Sequence, residues 1–192
     1  MNLVRAIANA LLPAKKTPAT TSTRTPATTR TAAAPRPTTQ KRSAAPQRTA
    51  GDEPGRSGPS ATVEVDPRAI SRVTMAYAPS TDGDADPGEI VWTWVPYEER
   101  DGRGKDRPVL VVASERSGTV LAVQLTSQAH PGRTEYVPIG TGDWDAQRRP
   151  SYVNTDRVFR LHQAGMRREA TALDRRRYGA VRDALVARYG WR

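Results

Sequence analysis

The chain has 192 residues and a formal net charge of +10, and this charge is unevenly distributed. Residues 1–60 contain ten Lys or Arg and two acidic residues, whereas the other 132 residues have a net charge of only +2. Zero cysteines exclude disulfide scaffolds, Cys nucleophiles and Cys-ligated metal sites, and two histidines disfavour a His-based metal centre. We therefore expect a protein that needs neither metal nor organic cofactor.

Residues 1–60 have the composition of a disordered segment. They contain eight of the 16 prolines and many Thr and Ala, and they bury too little apolar surface to offset the entropy of ordering. The sequence therefore predicts a disordered basic tail over residues 1–60. Its charges would attract nucleic acid without sequence specificity, because it contains no aromatic residue that could stack on bases. The alternative is a solvated linker that only provides spacing.

The first residues of the chain favour a short amphipathic helix over a secretory signal. Apolar residues recur there at helical spacing, but Asn9 interrupts the apolar stretch and no clean small-residue cleavage site follows. No apolar run in the sequence approaches the roughly 20 residues of a membrane span. We therefore predict a cytoplasmic protein.

Short β-strands are predicted from about Thr62 onward. Residues 61–86 contain the alternating segment TVEVDP and a turn-rich connection, so we expect a short strand and linker that either pack on or lead into a main barrel domain over residues 87–192. In GEIVWTWVP, Trp92 and Trp94 share a face with Ile90, which favours core positions over base-stacking ones. Further strand-like segments follow in PVLVVAS, TVLAVQLTSQ, TEYVPI, SYVNTDRVFRL and MRREA.

The chain is predicted to end in an α-helix. Asp174 suits an N-cap, Leu173 and Tyr178 have the spacing of a hydrophobic staple, and Gly190 suits the helix stop. The apolar stripe of this helix contains Tyr178, Val181, Leu185 and Tyr189. Consecutive short strands followed by one helix favour a mainly β fold, a small and strongly bent antiparallel barrel with a C-terminal helix.

Arg107 lies at the start of a predicted strand, where it could do chemistry. Pro108 forces Arg107 into an extended backbone and is tolerated as the first residue of a strand. The guanidinium would then be anchored at the rim of the core, where its fork could engage a phosphate. The alternative is a charged residue that only solvates the strand start.

Thr126 lies at the end of another predicted strand. In TVLAVQLT, Leu121, Val123 and Leu125 share one face, so Thr126 points to the opposite face, together with Gln124. Such a polar row offers neutral hydrogen-bond donors, but an ordinary solvent-facing strand edge would show the same pattern.

The order of these segments resembles the PemK/MazF toxin family. That family opens with a Gly-x-[IV]-[VI]-Trp strand, continues to an Arg-Pro-[VA]-[LV]-[VI] strand and carries a Thr-x-Gln strand end. GEIVWTWVPYEE, KDRPVLVVAS, AVQLTSQ and SYVNTDRVFRL follow this order here, from about Pro87 to Leu161. The family fold is a barrel that resembles SH3 domains, so the resemblance implies such a barrel in this chain.

The resemblance also implies a metal-independent endoribonuclease that cleaves single-stranded RNA at short sequences. By position, Arg107 matches the catalytic arginine of the family and Thr126 its partner threonine. These groups would stabilise the charge that develops when a ribose 2′-OH attacks the adjacent phosphate. A homodimer and a cognate antitoxin are the further partners that the resemblance implies.

The groups that move protons are left open by the sequence. Glu99 precedes Arg107 in the same loop and His130 closely follows the Thr-x-Gln end, so each is a candidate acid or base. The alternative is that both are loop residues without a catalytic role. The candidate RNA-binding residues are Lys105, Ser127, Gln128 and Asn154.

Some features depart from the family pattern. Asp156 and Arg157 stand where an Asp/Glu-Gln pair is common, and the tail and residues 62–78 lie outside the usual family domain. A second hypothesis is therefore a non-catalytic SH3-like barrel that binds DNA or protein, either as a gyrase poison or as a regulator. The presence of both Arg107 and Thr126 favours the nuclease.

Overall fold

The computed structural model describes residues 53–192, apart from the side chains of residues 168–170. Residues 1–52 of the predicted tail lie outside the described residues. The strands are β1 (Val63–Val65), β2 (Glu89–Pro96), β3 (Gly104–Ser114), β4 (Thr119–Thr126), β5 (Tyr136–Gly140), β6 (Ser151–His162) and β7 (Arg167–Ala172). A 3-10 turn, Gln163–Gly165, separates β6 from β7, and the helix α1 is Arg175–Tyr189.

The strands form one antiparallel sheet in the order β1-β6-β4-β3-β2-β7, with β5 also paired to β6. The prediction of a mainly β domain with a C-terminal helix is confirmed. The barrel is not closed, because β1 and β7 are the two ends of the strand path. Among the described residues, no helix is both long enough and apolar enough to span a membrane.

Both faces of the central strands are buried, as the continuous apolar run of β3 predicts. Leu110 and Val112 belong to a core that also contains helix residues, whereas Val109 and Val111 belong to a second core without any helix residue. The apolar stripe of α1 packs into the first core through Tyr178, Val181 and Leu185. The sheet is thus fixed in place by burial on its two faces, and its strand ends remain available for a site.

The ends of α1 form as the sequence predicts. The carboxylate of Asp174 accepts a hydrogen bond from the backbone N–H of Arg177 at 3.0 Å. Gly190 adopts a left-handed conformation with φ of 71°, and its N–H donates to the Val186 carbonyl at 2.8 Å. Tyr178 donates to the Val112 carbonyl at 2.8 Å, and burial raises its pKa to about 12.

The two tryptophans of β2 are not core residues, so that prediction is wrong. Trp92 and Trp94 are both half-buried. The guanidinium of Arg167 lies 5.6 Å from the ring centre of Trp92, and that of Arg56 lies 4.7 Å from the ring centre of Trp94. Alternation with Ile90 gives the correct face, but the strand extends past the edge of the core.

Residues 53–60 are part of the folded domain, although the sequence assigned them to the tail. The backbone N–H of Trp94 donates to the Pro54 carbonyl at 3.1 Å. Gly55 is buried with φ of 81°, and a Cβ there would collide with Thr93 Oγ1, so no larger residue fits. The predicted boundary at residue 60 therefore falls inside the described structure.

The segment after β1 packs against the C-terminus of the chain. Arg192 donates its backbone N–H to the Val73 carbonyl at 3.0 Å, and its carbonyl accepts from the Met75 N–H at 2.5 Å. The Trp191 indole is buried and donates to the Pro67 carbonyl at 3.2 Å. These contacts pack the segment after β1 against the C-terminal residues of the domain.

An ion pair attaches β1 to β6. Arg157 donates from Nε to Glu64 Oε1 at 3.0 Å and from Nη2 to Glu64 Oε2 at 2.9 Å. The same Nη2 donates to the Pro96 carbonyl at 2.8 Å, and Arg157 is only 8% exposed. The hydrogen bonds from Arg157 hold the pKa of the Glu64 carboxyl below its ordinary value.

Replacing this carboxylate should change how stability depends on pH. Because the folded-state pKa of Glu64 is lowered, its contribution is present above the ordinary pKa of 4.5 and is lost as pH falls through the folded-state pKa. We expect Glu64→Gln to lower the unfolding free energy at pH 7 by about 2 kcal/mol and to flatten its acid dependence. Denaturant titrations between about pH 3 and 7 would measure this. The exposed Glu98→Gln is the control, and equal pH profiles for both variants would contradict the assignment.

Candidate active site

The pairing of β3 with β4 brings the two predicted catalytic residues together. Val109 pairs with Gln124, and continuing this register by two residues places Arg107 opposite Thr126. Directly opposite residues of an antiparallel pair lie on the same face of the sheet. Arg107 and Thr126 therefore occupy neighbouring positions at one end of the strand pair.

Both residues line a surface groove of about 250 Å³. The predicted RNA-binding residues Lys105 and Ser127 line it as well. The other lining residues are Trp92, Asp106, Pro108, Leu125, Trp144, Asp145, Arg149 and Ser151. The groove thus combines cations, hydroxyls and an indole ring, a set that suits phosphate and base recognition.

The basic residues of the groove differ in their partners. Arg149 is held by Asp145, with Nε to Oδ2 at 2.7 Å and Nη2 to Oδ1 at 3.2 Å. Within the described part of the chain, the Lys105 and Arg107 side chains make no hydrogen bond or ion pair. Arg107, which is half-buried as a residue, therefore offers the whole fork of its guanidinium to an anion in the groove.

The Thr126 hydroxyl is positioned by the turn that ends β4. Its Oγ1 accepts a hydrogen bond from the backbone N–H of Gln128 at 3.1 Å. A hydroxyl that accepts in this way still has its own hydrogen to donate. Thr126 can therefore donate one hydrogen bond to an oxygen bound beside Arg107.

The sequence did not identify the residues that the loop 141–150 adds to the groove. Asp145 organises this loop, because it binds the Arg149 side chain and accepts backbone N–H bonds from Gln147 and Arg149. The Arg149 hydrogen bond lowers the pKa of the Asp145 carboxyl. Trp144, an aromatic residue within a polar loop, is the one sequence feature that could have indicated a role for this loop. Nothing in the sequence, however, places the loop beside β3.

Four other predicted site residues do not line this groove. Glu99 and Gln128 are exposed outside it. His130 stacks on Tyr136 with 3.7 Å between ring centres, and Asn154 lines a different depression. Neither candidate acid–base residue therefore lines the groove with Arg107 and Thr126. Among the described residues, no cluster of three or more His, Cys, Asp or Glu side chains could hold a metal ion.

The part of the chain that carries this groove matches a known family. Residues 86–187 match the family model described as PemK-like, MazF-like toxin of type II toxin-antitoxin system. The chain belongs to this toxin family. The match includes β2 to β7, every residue that lines the groove and most of α1. None of the curated proteins is a significant match to the toxin chain.

Solved structures similar to the toxin chain are distant in sequence. The MazE-MazF complex from Deinococcus radiodurans matches with 23% identity and a TM-score of 0.40, covering 55% of this chain and 95% of that one. An endoribonuclease from a mycobacterial species matches with 19% identity and a TM-score of 0.41, covering 56% and 94%. Mycobacterium tuberculosis toxin MazF-mt6 matches with 17% identity and a TM-score of 0.38, covering 53% and 98%.

Ser151 should support the groove of the toxin through Trp144. The Trp144 indole is buried and donates to Ser151 Oγ at 3.0 Å. In Ser151→Ala this N–H loses its partner, so we expect the unfolding free energy to fall by about 1–3 kcal/mol. Chemical denaturation followed by Trp fluorescence would measure the loss. Ser127→Ala removes an exposed hydroxyl of the same groove and should have little effect; equal losses in both variants would refute this role for Ser151.

Proposed function

We propose that this toxin is a sequence-specific endoribonuclease that cleaves single-stranded RNA in the groove without a metal ion. One observation carries the proposal: the half-buried residue Arg107, which has no acidic partner among the described residues, lies beside Thr126, whose hydroxyl can still donate. A structural arginine of this kind would ordinarily be paired, as Arg149 and Arg157 are. An unpaired arginine in a groove suits a phosphate ligand.

In the proposed reaction, a ribose 2′-oxygen attacks the adjacent phosphorus atom. The 2′-O–P bond forms and the P–O5′ bond breaks, which leaves a 2′,3′-cyclic phosphate on one product and a 5′-hydroxyl on the other. The proton of the 2′-OH goes to a base, and the leaving 5′-oxygen gains a proton. Negative charge builds on the phosphoryl oxygens between these events, and Arg107 and Thr126 stabilise it more in the transition state than in the substrate.

Family membership supports the biological setting of this activity. The family consists of toxins of type II toxin-antitoxin systems, so an antitoxin is the partner that the setting implies. We accordingly propose that the toxin acts in the cytoplasm as a homodimer and that a cognate antitoxin competes with RNA for the groove. The basic tail would add a weak, sequence-independent attraction to RNA.

Removing the Arg107 guanidinium should abolish most of the activity. We expect Arg107→Ala to cut cleavage by roughly 10²–10³-fold and Thr126→Val by a similar or smaller factor, since each loses one transition-state donor. The assay incubates the full chain with a long single-stranded RNA in EDTA and maps the fragment ends. Cuts that recur at a short sequence and end in 2′,3′-cyclic phosphate are the expected result.

The matched control is Arg116→Ala. Arg116 is an exposed arginine in the turn between β3 and β4 and does not line the groove. Its loss removes the same charge from the chain and should leave the rate unchanged. Equal losses in Arg107→Ala and Arg116→Ala would overturn the assignment of Arg107. Intact RNA with folded, partner-free wild-type protein would instead favour the non-catalytic hypothesis, in which the domain binds DNA or protein.

A further inference from the structure

The loop that leaves the groove ends in an aromatic stack, the His130–Tyr136 platform. The two rings lie face to face, with ring centres 3.7 Å apart and planes inclined by 16°. Both side chains are half-buried, so the stack is held by the domain but still reaches solvent. Aromatic rings at a loop surface are typical stacking partners for an unpaired nucleobase.

Asn154 positions this platform from β6. It pairs with Tyr136 in the β5–β6 ladder and is only 3% exposed. Its Nδ2 donates to the Tyr136 hydroxyl at 3.5 Å, and its Oδ1 accepts the Asp156 N–H at 2.9 Å. The Asp156 N–H holds Asn154, and Asn154 in turn holds the Tyr136 hydroxyl. An aromatic stack that is ordered before binding loses less conformational entropy when a ligand stacks on it.

The arginines around the platform each have an acidic partner. Tyr136 and Asn154 line a depression of about 470 Å³. Its arginines are engaged with acids: Arg133 with Glu135, Arg100 with Glu64 at 3.8 Å, and Arg157 with Glu64. The described residues of this depression therefore lack the unpaired arginine that a phosphate would favour. The guanidinium of Arg133 also lies 5.6 Å from the ring centre of Tyr136, so the ring on which a neutral, planar ligand could stack is that of His130.

The platform lies close to the groove along the chain. His130 follows Thr126 by four positions, a stretch that spans at most about 14 Å even when fully extended. One extended RNA strand can therefore place a phosphate beside Thr126 and a nearby base on His130. Such a stack would add a modest base preference, set by stacking strength, that phosphate contacts do not carry.

We propose that His130, supported from behind by Tyr136, is a stacking site for one nucleobase of the RNA, at a fixed position relative to the scissile phosphate, and so helps to select the cleaved sequence. This inference rests on the proposed function. In it His130 binds through its ring face and transfers no proton, which differs from the acid–base role that the sequence suggested. Asn154 acts as a positioning residue for Tyr136.

The first test compares cleavage sites in a random-sequence single-stranded RNA for the full-length wild type, His130→Ala, His130→Trp and His162→Ala. We expect His130→Ala to relax the base preference at one position and to lower cleavage at limiting RNA roughly tenfold. His130→Trp keeps a stacking ring without an acid–base group and should retain both properties. His162, an exposed histidine at the end of β6, is the matched control and should have no effect.

The outcomes distinguish the platform from the nuclease. Unchanged site preference and rate in His130→Ala, while Arg107→Ala is inactive, would overturn the platform and leave the nuclease standing. Loss of activity in both His130→Ala and His130→Trp, with unchanged base preference in any residual cleavage, would also overturn the platform and favour proton transfer by His130.

Binding provides a test that does not depend on cleavage. In the full-length Arg107→Ala background, affinity is measured for RNA oligonucleotides in which one nucleotide at a time is abasic. We expect one position at which the missing base weakens binding, and this penalty should vanish when His130→Ala is added. A penalty that persists would refute the stacking site. If His130→Ala removes the binding penalty but the wild-type protein cuts no RNA, the result would support the stacking platform and refute the nuclease.

Discussion

One extra residue in the β3–β4 ladder decides which side chain stands opposite Arg107. Close to the turn between β3 and β4, Ala113 pairs with Leu121. The next pair is Val111 with Ala122, so β3 contains one extra residue between the two pairs and the register shifts by one. Without this shift Arg107 would face Ser127. Because a slip of one residue moves every side chain to the other face of a sheet, Thr126 would then lie on the face opposite Arg107. The bulge therefore sets the geometry of the candidate site.

The sequence predicts the strands and the helix ends because these depend on local chemistry. Asp174, for example, caps α1 by a hydrogen bond to its own first turn. The bulge and the position of Trp144 are different, because they arise from packing between segments that are distant along the chain. For Trp92, alternation predicts the face correctly, but how far the core extends along the strand depends on the whole sheet. The order of the motifs marks Arg107 and Thr126 as candidate catalytic residues. No local pattern predicts that the His130 ring stacks on the ring of Tyr136, six residues later.

The segment before the family match explains one departure from the family pattern. Arg157 stands where the family commonly has glutamine, and its fork binds Glu64, which lies before the matched residues 86–187. A glutamine has no charge and no fork with which to hold this carboxylate. The arginine and the added strand β1 therefore form one structural unit, because either charge without the other would be left largely buried and uncompensated.

The pairing of charges separates the two surfaces that the proposed nuclease would use. In the groove, Arg107 and Lys105 have no acidic partner within the described residues, so an incoming phosphate replaces no existing ion pair of theirs. Around Tyr136 the arginines are already paired, and a phosphate there would have to compete with carboxylates. Phosphate contacts position a nucleic acid without reading it, whereas stacking adds a modest base preference that depends on stacking strength. A strand held at its phosphate by the groove and at one base by the platform would be cut only where both contacts fit, so the two contacts together would favour some RNA sequences over others.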